Sequence, residues 1–442
     1  MQDEIQALGD GLIMRHSRRE DADRLAAFIV RIHSNGTESD SRALDAWTRD
    51  LLSGEHPTFD PGDFTVVEDH HSGEVVSCLN LISQTWSYAG IPFGVGRPEL
   101  VGTLPEYRRR GLIRKQFEEI HRWSQKRGEL VQGITGIPYY YRQFGYEMAI
   151  NLGGGRYGST GDVPSLGKDQ AELFQIRLAE KKDIPFILQV MAWGDQRYPV
   201  ASQWTPELMA YEISGKREFD VNRRQLLIIE TLAGEPVGFF GHPAGQLWGS
   251  KLAASVYELA PGVSWLDVTP SVARYLLAAG RELAQSMGEN CQGIQLALGE
   301  DHPAYQVFSH RLPGIHKPYA WYIRVPDLPA FLTRIGPALE KRLEKSACCG
   351  FSGEVRLGFY RSGVCLGFDR GRLVTVASLG ATELDPIGAA FPGLTFLQLL
   401  FGYRSLDELR YAYPDCYADP DRVTPLLNAL FPRATSNIWE IS

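Results

Sequence analysis

The sequence predicts an α+β chain of three modules, at residues 1–155, 156–325 and 326–442, in which the second repeats the fold of the first. Three observations carry this. Ile13-Met14-Arg15 leads to Asp21 and an amphipathic helix over Leu25–Ile29, and Gln175-Ile176-Arg177 leads to Asp183 and Ile184–Val190, with the acid six residues after the arginine both times. Tyr141-x-x-Phe144 lies 36 residues past Pro105 and Tyr305-x-x-Phe308 lies 35 past Pro270; strand-like runs, Leu100–Leu104 and Trp265–Thr269, precede these prolines and helical patterns follow them. Beyond Val325-Pro326-Asp327 the pattern changes to a helix over Leu328–Leu343. Alternating runs then follow at Glu354–Phe359, Val364–Phe368 and Leu373–Ala377, which the turns at Gly363 and Gly371 fold into an antiparallel meander.

The divide between the first two modules is a turn-rich stretch from Gly153-Gly154-Gly155 to Gly161–Gly167. A length of 442 residues accommodates two to four domains, and 44% apolar residues supply their cores. The net charge of −8 excludes a binder that works by neutralising phosphates along nucleic acid, and it suits a cationic substrate. The six cysteines show no Cys-x-x-Cys spacing, so neither a disulfide scaffold nor a metal site is expected, and a reducing compartment is. Met1-Gln2-Asp3-Glu4 is unlike a secretory signal, and no apolar run approaches the roughly 18 residues of a membrane span. The expectation is a soluble cytoplasmic protein without membrane partners.

The most informative segment is Leu100–Ile113, where a strand-like run meets a basic turn and a helix. Leu112, Ile113, Phe117, Ile120 and Trp123 recur at spacings of three and four, giving one apolar stripe, and Gly128 caps the far end. At the near end, Leu112 opens a helix whose free N–H groups and positive dipole form an anion site. Gly111 omits a Cβ where a phosphate must approach the backbone, and Arg108 and Arg109 add charge-assisted donors. Downstream, Tyr141 is a candidate proton donor to a leaving thiolate. Tyr139 and Tyr140 read as amphipathic packing. Trp86, Tyr88, Asp60 and Asp63 read as ordinary loop residues, and His70-His71 as a surface turn. The ending Asn437–Ser442 is aromatic and apolar, which suggests a docked tail.

Arg108-Arg109-Arg110-Gly111-Leu112-Ile113 resembles the Gln/Arg-x-x-Gly-x-Gly/Ala signature with which GNAT acetyltransferases cradle the pyrophosphate of coenzyme A, Ile113 replacing the final small residue. Val101–Leu112 is similar to the enhanced-intracellular-survival acetyltransferases within that superfamily, where a bulky residue also fills that place. Tyr141-x-x-Phe144-Gly145-Tyr146 resembles their Tyr-Gly-Arg-Phe-Gly-Tyr, and Trp321–Asp327 their Trp-x-Arg-Val-x-Asp, with one extra residue here. The resemblance implies tandem GNAT folds, mixed sheets flanked by helices, followed by a sterol-carrier-protein-like α/β domain. It implies acetyl-CoA as donor, a small-molecule or peptidyl amine as acceptor, and homo-oligomers, hexamers among them. It also implies pantetheine pairing with the backbone of Val101 and Thr103, Tyr141 as general acid, and the carboxylate of Ser442 as base. Aligning Pro270 with Pro105 sets Ala273 against Arg108 and Leu276 against Gly111, so only the first copy is expected to keep a cofactor site. Two alternatives stay open: a catalytically silent acyl-CoA-binding protein, and a relative that uses a longer acyl donor.

Overall fold

The computed structural model describes residues 5–385 and 387–442. The Arg-to-Asp spacing closes the same corner twice. Arg15 grips Asp21 through two bonds of 2.7 Å and reaches Glu68 at 2.6 Å, while Asp21 accepts the Arg18 N–H at 2.8 Å. In the second copy Arg177 grips Asp183 at 2.7 and 2.8 Å and Glu230 at 2.8 Å, and Asp183 accepts the Glu180 N–H at 2.8 Å. Each corner turns a strand into a helix, so the repeated signature is structural.

In the first module the elements run β1 (Gln6–Gly9), β2 (Leu12–His16), α1 (Ala22–His33), α2 (Glu38–Leu51), β3 (Phe64–Asp69), β4 (Val75–Tyr88), β5 (Ile91–Thr103), α3 (Leu112–Lys126), β6 (Val131–Ile134) and β7 (Glu147–Leu152). The second runs β8 (Gly155–Ser159), β9 (Phe174–Leu178), α4 (Ile184–Asp195), β10 (Val200–Ser202), α5 (Pro206–Ser214), β11 (Arg224–Thr231), β12 (Pro236–Pro243), β13 (Lys251–Ala254), β14 (Val256–Leu259), α6 (Trp265–Met287), β15 (Gly293–Leu296), α7 (Pro303–Phe308), β16 (Gly314–His316) and β17 (Tyr319–Arg324). The stripe on α3 is buried as expected, with Phe117, Ile120 and Trp123 packed on Leu79 and Leu81 of β4.

The first sheet does not stop at the cut at 155. The first sheet runs β1-β2-β3-β4-β5-β6-β17-β7, with β10 also paired to β4. Thus β17, from the end of the second segment, lies between two strands of the first. Within the second module β8 sits between β15 and β16, and the other half-sheet is β14-β12-β11-β9. Trp86 and Tyr88, expected in a loop, are buried in β4 and pair with Ser202 and Val200 of β10.

Trp265–Thr269 is not a strand. Ser264 caps α6 by accepting the Asp267 N–H at 3.3 Å, and Pro270 lies inside the helix. A short run with Val and Thr is ambiguous by pattern alone, and tertiary packing decides it. Ala273 and Leu276 therefore face the core at 1% and 0% exposure, and they are not the counterparts of Arg108 and Gly111. The third segment begins with two helices instead of one, Leu328–Arg334 and Gly336–Glu344, because Pro337 restarts the chain. Its meander forms at Gly353–Gly358, Ser362–Asp369 and Arg372–Gly380. No helix among the described residues is long and apolar enough to cross a membrane.

Candidate active site

In the first sheet β5 and β6 pair in parallel only at Val95–Val131 and Gly96–Gln132, and then part. Just beyond, β5 bulges against β4: Asn80 stands opposite Glu99 and Cys78 opposite Gly102, so Leu100 and Val101 have no ladder partner. Leu100 takes φ +52°, the price of this extra residue. The parted strands open a cleft of about 680 Å³. Val101 and Thr103 line one wall, Tyr141 and Phe144 the other, and Arg108, Arg109, Gly111 and Leu112 the end nearest α3. The sequence-predicted cofactor residues and Tyr141 thus share one cavity.

The helix start is free to act. No side chain caps α3, and its first internal bond runs from Lys115 N–H to Gly111 C=O, leaving the amides of Leu112, Ile113 and Arg114 beyond the helix ladder. Elsewhere Thr37, Thr205 and Ser264 cap their helices with hydroxyls. Gly111 has φ +75°, which is why glycine stands there; a Cβ would meet nothing within 4 Å, so crowding by protein is not the reason. Arg108 and Arg109 are exposed at this end, and Arg108 Nε donates to the Thr103 carbonyl at 3.3 Å.

Tyr141 sits on a 3-10 turn, Tyr140–Phe144, ended by Gly145 at φ +85°. It is 4% exposed, packed against Phe117 and Tyr322 with ring separations of 6.0 and 5.5 Å. Burial, and next the charge of Glu99, push its phenol well above the usual tyrosine range, so it stays protonated. Tyr140 lines the cleft as well, while Tyr139 is largely exposed.

Residues 31–149, which hold this whole cleft apart from its surroundings, match the acetyltransferase (GNAT) domain family. The chain carries a GNAT acetyltransferase domain. Solved structures share the fold along almost the entire chain. A GCN5-related N-acetyltransferase from Kribbella flavida is 17% identical with a TM-score of 0.66, covering 98% of this chain and 100% of its own. Eis1 from Mycobacterium abscessus is 12% identical with a TM-score of 0.61, covering 98% and 99%. The N-myristoyltransferase of Saccharomyces cerevisiae, solved with bound myristoyl-CoA, is 11% identical with a TM-score of 0.51, covering 73% and 85%. At such identities the likeness is one of fold. No curated protein sequence matches the chain.

The tail of the chain docks on this GNAT domain, but Ser442 is not among the residues that line the cleft. Gln84 and Arg97 both donate to the Ile441 carbonyl, at 2.7 and 2.8 Å, and Trp439 stacks on Trp204 at 4.1 Å. Ser442 itself is buried, beside His56. Two residues here escaped the sequence reading. Arg97 is 3% exposed and holds Glu99 at 2.6 Å and Glu440 at 2.9 Å. Charged residues two apart in an otherwise apolar strand were the available signal.

The second module carries different residues at the corresponding positions. Ladder pairing equates Ser77 with Gly238, hence Gly102 with Glu258. A Cβ at Gly102 would be crowded by Ile32 at 3.0 Å and Phe28 at 3.2 Å, whereas Glu258 carries a carboxylate at its position, bonded to Arg197 and 3.7 Å from His302. Gly194, the counterpart of Ile32, accommodates it: a Cβ there would come within 2.5 Å of the Glu258 carboxyl carbon. The α6 start carries Asp267 and no arginine.

Proposed function

We propose that this chain is an N-acyltransferase that moves an acetyl group from acetyl-CoA to an amine by direct attack. The observation that carries the reading is the convergence, in one cleft, of an uncapped helix start, a basic turn and an unpaired strand edge. Phosphates suit the α3 amides with Arg108, Arg109 and Gly111, and the pantetheine arm suits the side of β5 that faces the cleft at Val101 and Thr103, away from β4. Amine attack on the thioester carbonyl then expels a thiolate, for which Tyr141 is the donor at hand. Its high phenol pKa ensures that it carries a proton when needed.

For the acceptor's proton, the resemblance points to the Ser442 carboxylate, which is docked on the same domain. A longer acyl donor is the second reading, favoured by the fold shared with an enzyme solved with myristoyl-CoA. Thiol release from acyl-CoAs of graded chain length, screened against a panel of amines, tests both. Turnover fastest with the acetyl donor supports the first reading, and no thiol release with any pair refutes catalysis. Tyr141→Phe is expected to lower kcat by about 10²–10⁴ while acyl-CoA affinity holds; an unchanged rate removes Tyr141 from the chemistry.

A further inference from the structure

We infer that this chain binds a small carboxylate with an apolar body in a second cavity, which the C-terminal tail closes and which lies outside the cleft of Arg108 and Tyr141. The inference goes beyond the acyltransferase reading and does not depend on it.

The cavity measures about 230 Å³. Four stretches distant in sequence enclose it: Leu152 and Gly153 at the joint of β7 and β8, residues 221–224 at the start of β11, the chain from the end of β12 to Trp248, and the tail at 437–440. It shares no lining residue with the cleft. Its size falls below the roughly 300–1,000 Å³ of pockets that take drug-sized ligands, so the occupant is small.

The polar groups left unspent on its walls are donors. Trp439 is 8% exposed, and its indole Nε1 has no hydrogen-bond partner among the described residues. The Asn222 Nδ2 is buried and unpartnered in the same sense, and no lining residue leaves a buried acceptor unpartnered. Buried N–H groups of this kind are costly until an acceptor meets them. Arg223 and Arg224 add charge. Arg223 donates to the Glu218 carbonyl at 3.3 Å and Arg224 to Glu212 at 3.2 Å, one bond each, so both guanidiniums keep further donors. Arg224 also lies over the Trp439 ring, 5.5 Å from its centre.

The charges decide between anions. The wall's one carboxylate is Glu440, which Arg97 holds at 2.9 Å, and behind the wall Lys216 meets Glu212 at 2.5 Å. Two guanidiniums against one carboxylate leave a single positive charge, which calls for a monoanion over a phosphate dianion. A carboxylate also matches the planar fork of a guanidinium. The rest of the wall is apolar, with Leu152, Ile438 and the part-exposed ring of Trp248, so the body that carries the carboxylate is apolar too. A ligand here rests on the tail, whose Glu440 and Ile441 carbonyl hold Arg97 of β5. The site exists only while the tail is in place, so occupation favours the docked tail.

The test is calorimetry on the full-length chain with three probes: benzoate, its neutral counterpart benzamide, and inorganic phosphate. Benzoate is expected to bind at one equivalent, benzamide about tenfold more weakly or worse, and phosphate more weakly than benzoate. Trp439→Phe keeps a ring on Trp204 and removes the indole N–H, and Arg223→Gln removes a charge from a part-exposed position. Each is expected to weaken benzoate about tenfold while the thermal midpoint of the unliganded chain holds. In wild type, benzoate is expected to raise that midpoint and to slow carboxypeptidase trimming of the tail. Absence of benzoate binding, equal binding of benzamide, or tighter binding of phosphate overturns the assignment of a carboxylate. Unchanged benzoate affinity in both variants overturns the location, and trimming indifferent to benzoate overturns the link to the tail. None of these readouts uses acyl-CoA, so failure of the acyltransferase reading leaves them intact.

Discussion

At Gly111 a single dihedral angle sets what the residue must be. With φ at +75°, any L side chain incurs strain of about 1–2 kcal/mol, although nothing stands where its Cβ would go. Gly111→Ala is therefore expected to tilt the first turn of α3 and weaken acyl-CoA binding roughly tenfold, measured by calorimetry. Its thermal midpoint is expected to move little, because the site is exposed. The need for glycine was legible from the motif, but the reason was not, since φ cannot be read from the residue type. Tyr141 was legible from its Tyr-x-x-Phe-Gly-Tyr setting. The buried place of Arg97 was not, because its partners Glu440 and the Ile441 carbonyl come from the far end of the chain.

At the scale of elements, α3 and α6 start differently and the difference is chemical. Exposed arginines flank the uncapped start of α3, while Ser264 and Asp267 satisfy the start of α6 internally. Arg108→Ala and Arg109→Ala are each expected to weaken acyl-CoA binding roughly tenfold at low salt, and less at high salt. Equal losses at both salt concentrations would argue against phosphate contacts. In the second module, burial and then Glu258 raise the Asp195 carboxyl to about 7. A carboxyl raised in the folded state holds its proton more tightly there than in the unfolded chain. Its contribution is thus full below the unfolded value and falls as pH rises toward 7. Asp195→Asn is expected to match wild type in thermal unfolding near pH 4 and to exceed it at pH 8. An unchanged pH dependence would show that Asp195 is ionised when folded.

For the whole molecule, the tail and the strands β10 and β17 tie the three segments together. Deleting residues 437–442 strips Arg97 of the Ile441 carbonyl and Glu440, and removes the Trp439 stack on Trp204. Breaking buried charge partnerships of this kind costs about 3–5 kcal/mol, so a lower unfolding midpoint in calorimetry is expected. Coenzyme A titration of the intact chain is expected to give one equivalent bound, since Glu258 stands at the position of Gly102 and the α6 start is capped and carries no arginine. Two equivalents would show that the second module binds as well.

The sequence by itself determined the features that a few neighbouring residues can build. These are the Arg15–Asp21 and Arg177–Asp183 corners, six residues apart, the basic turn leading into α3, and the glycine-ended turn after Tyr141. Such motifs close on themselves, so their spacing is their structure. The tertiary structure alone decided that Trp265–Thr269 is helical, that β17 joins the sheet of the first module, and that Arg97 meets Ile441, 344 positions away. Each depends on which sheet edge or buried charge receives a segment, and that choice is made by packing between distant parts of the chain.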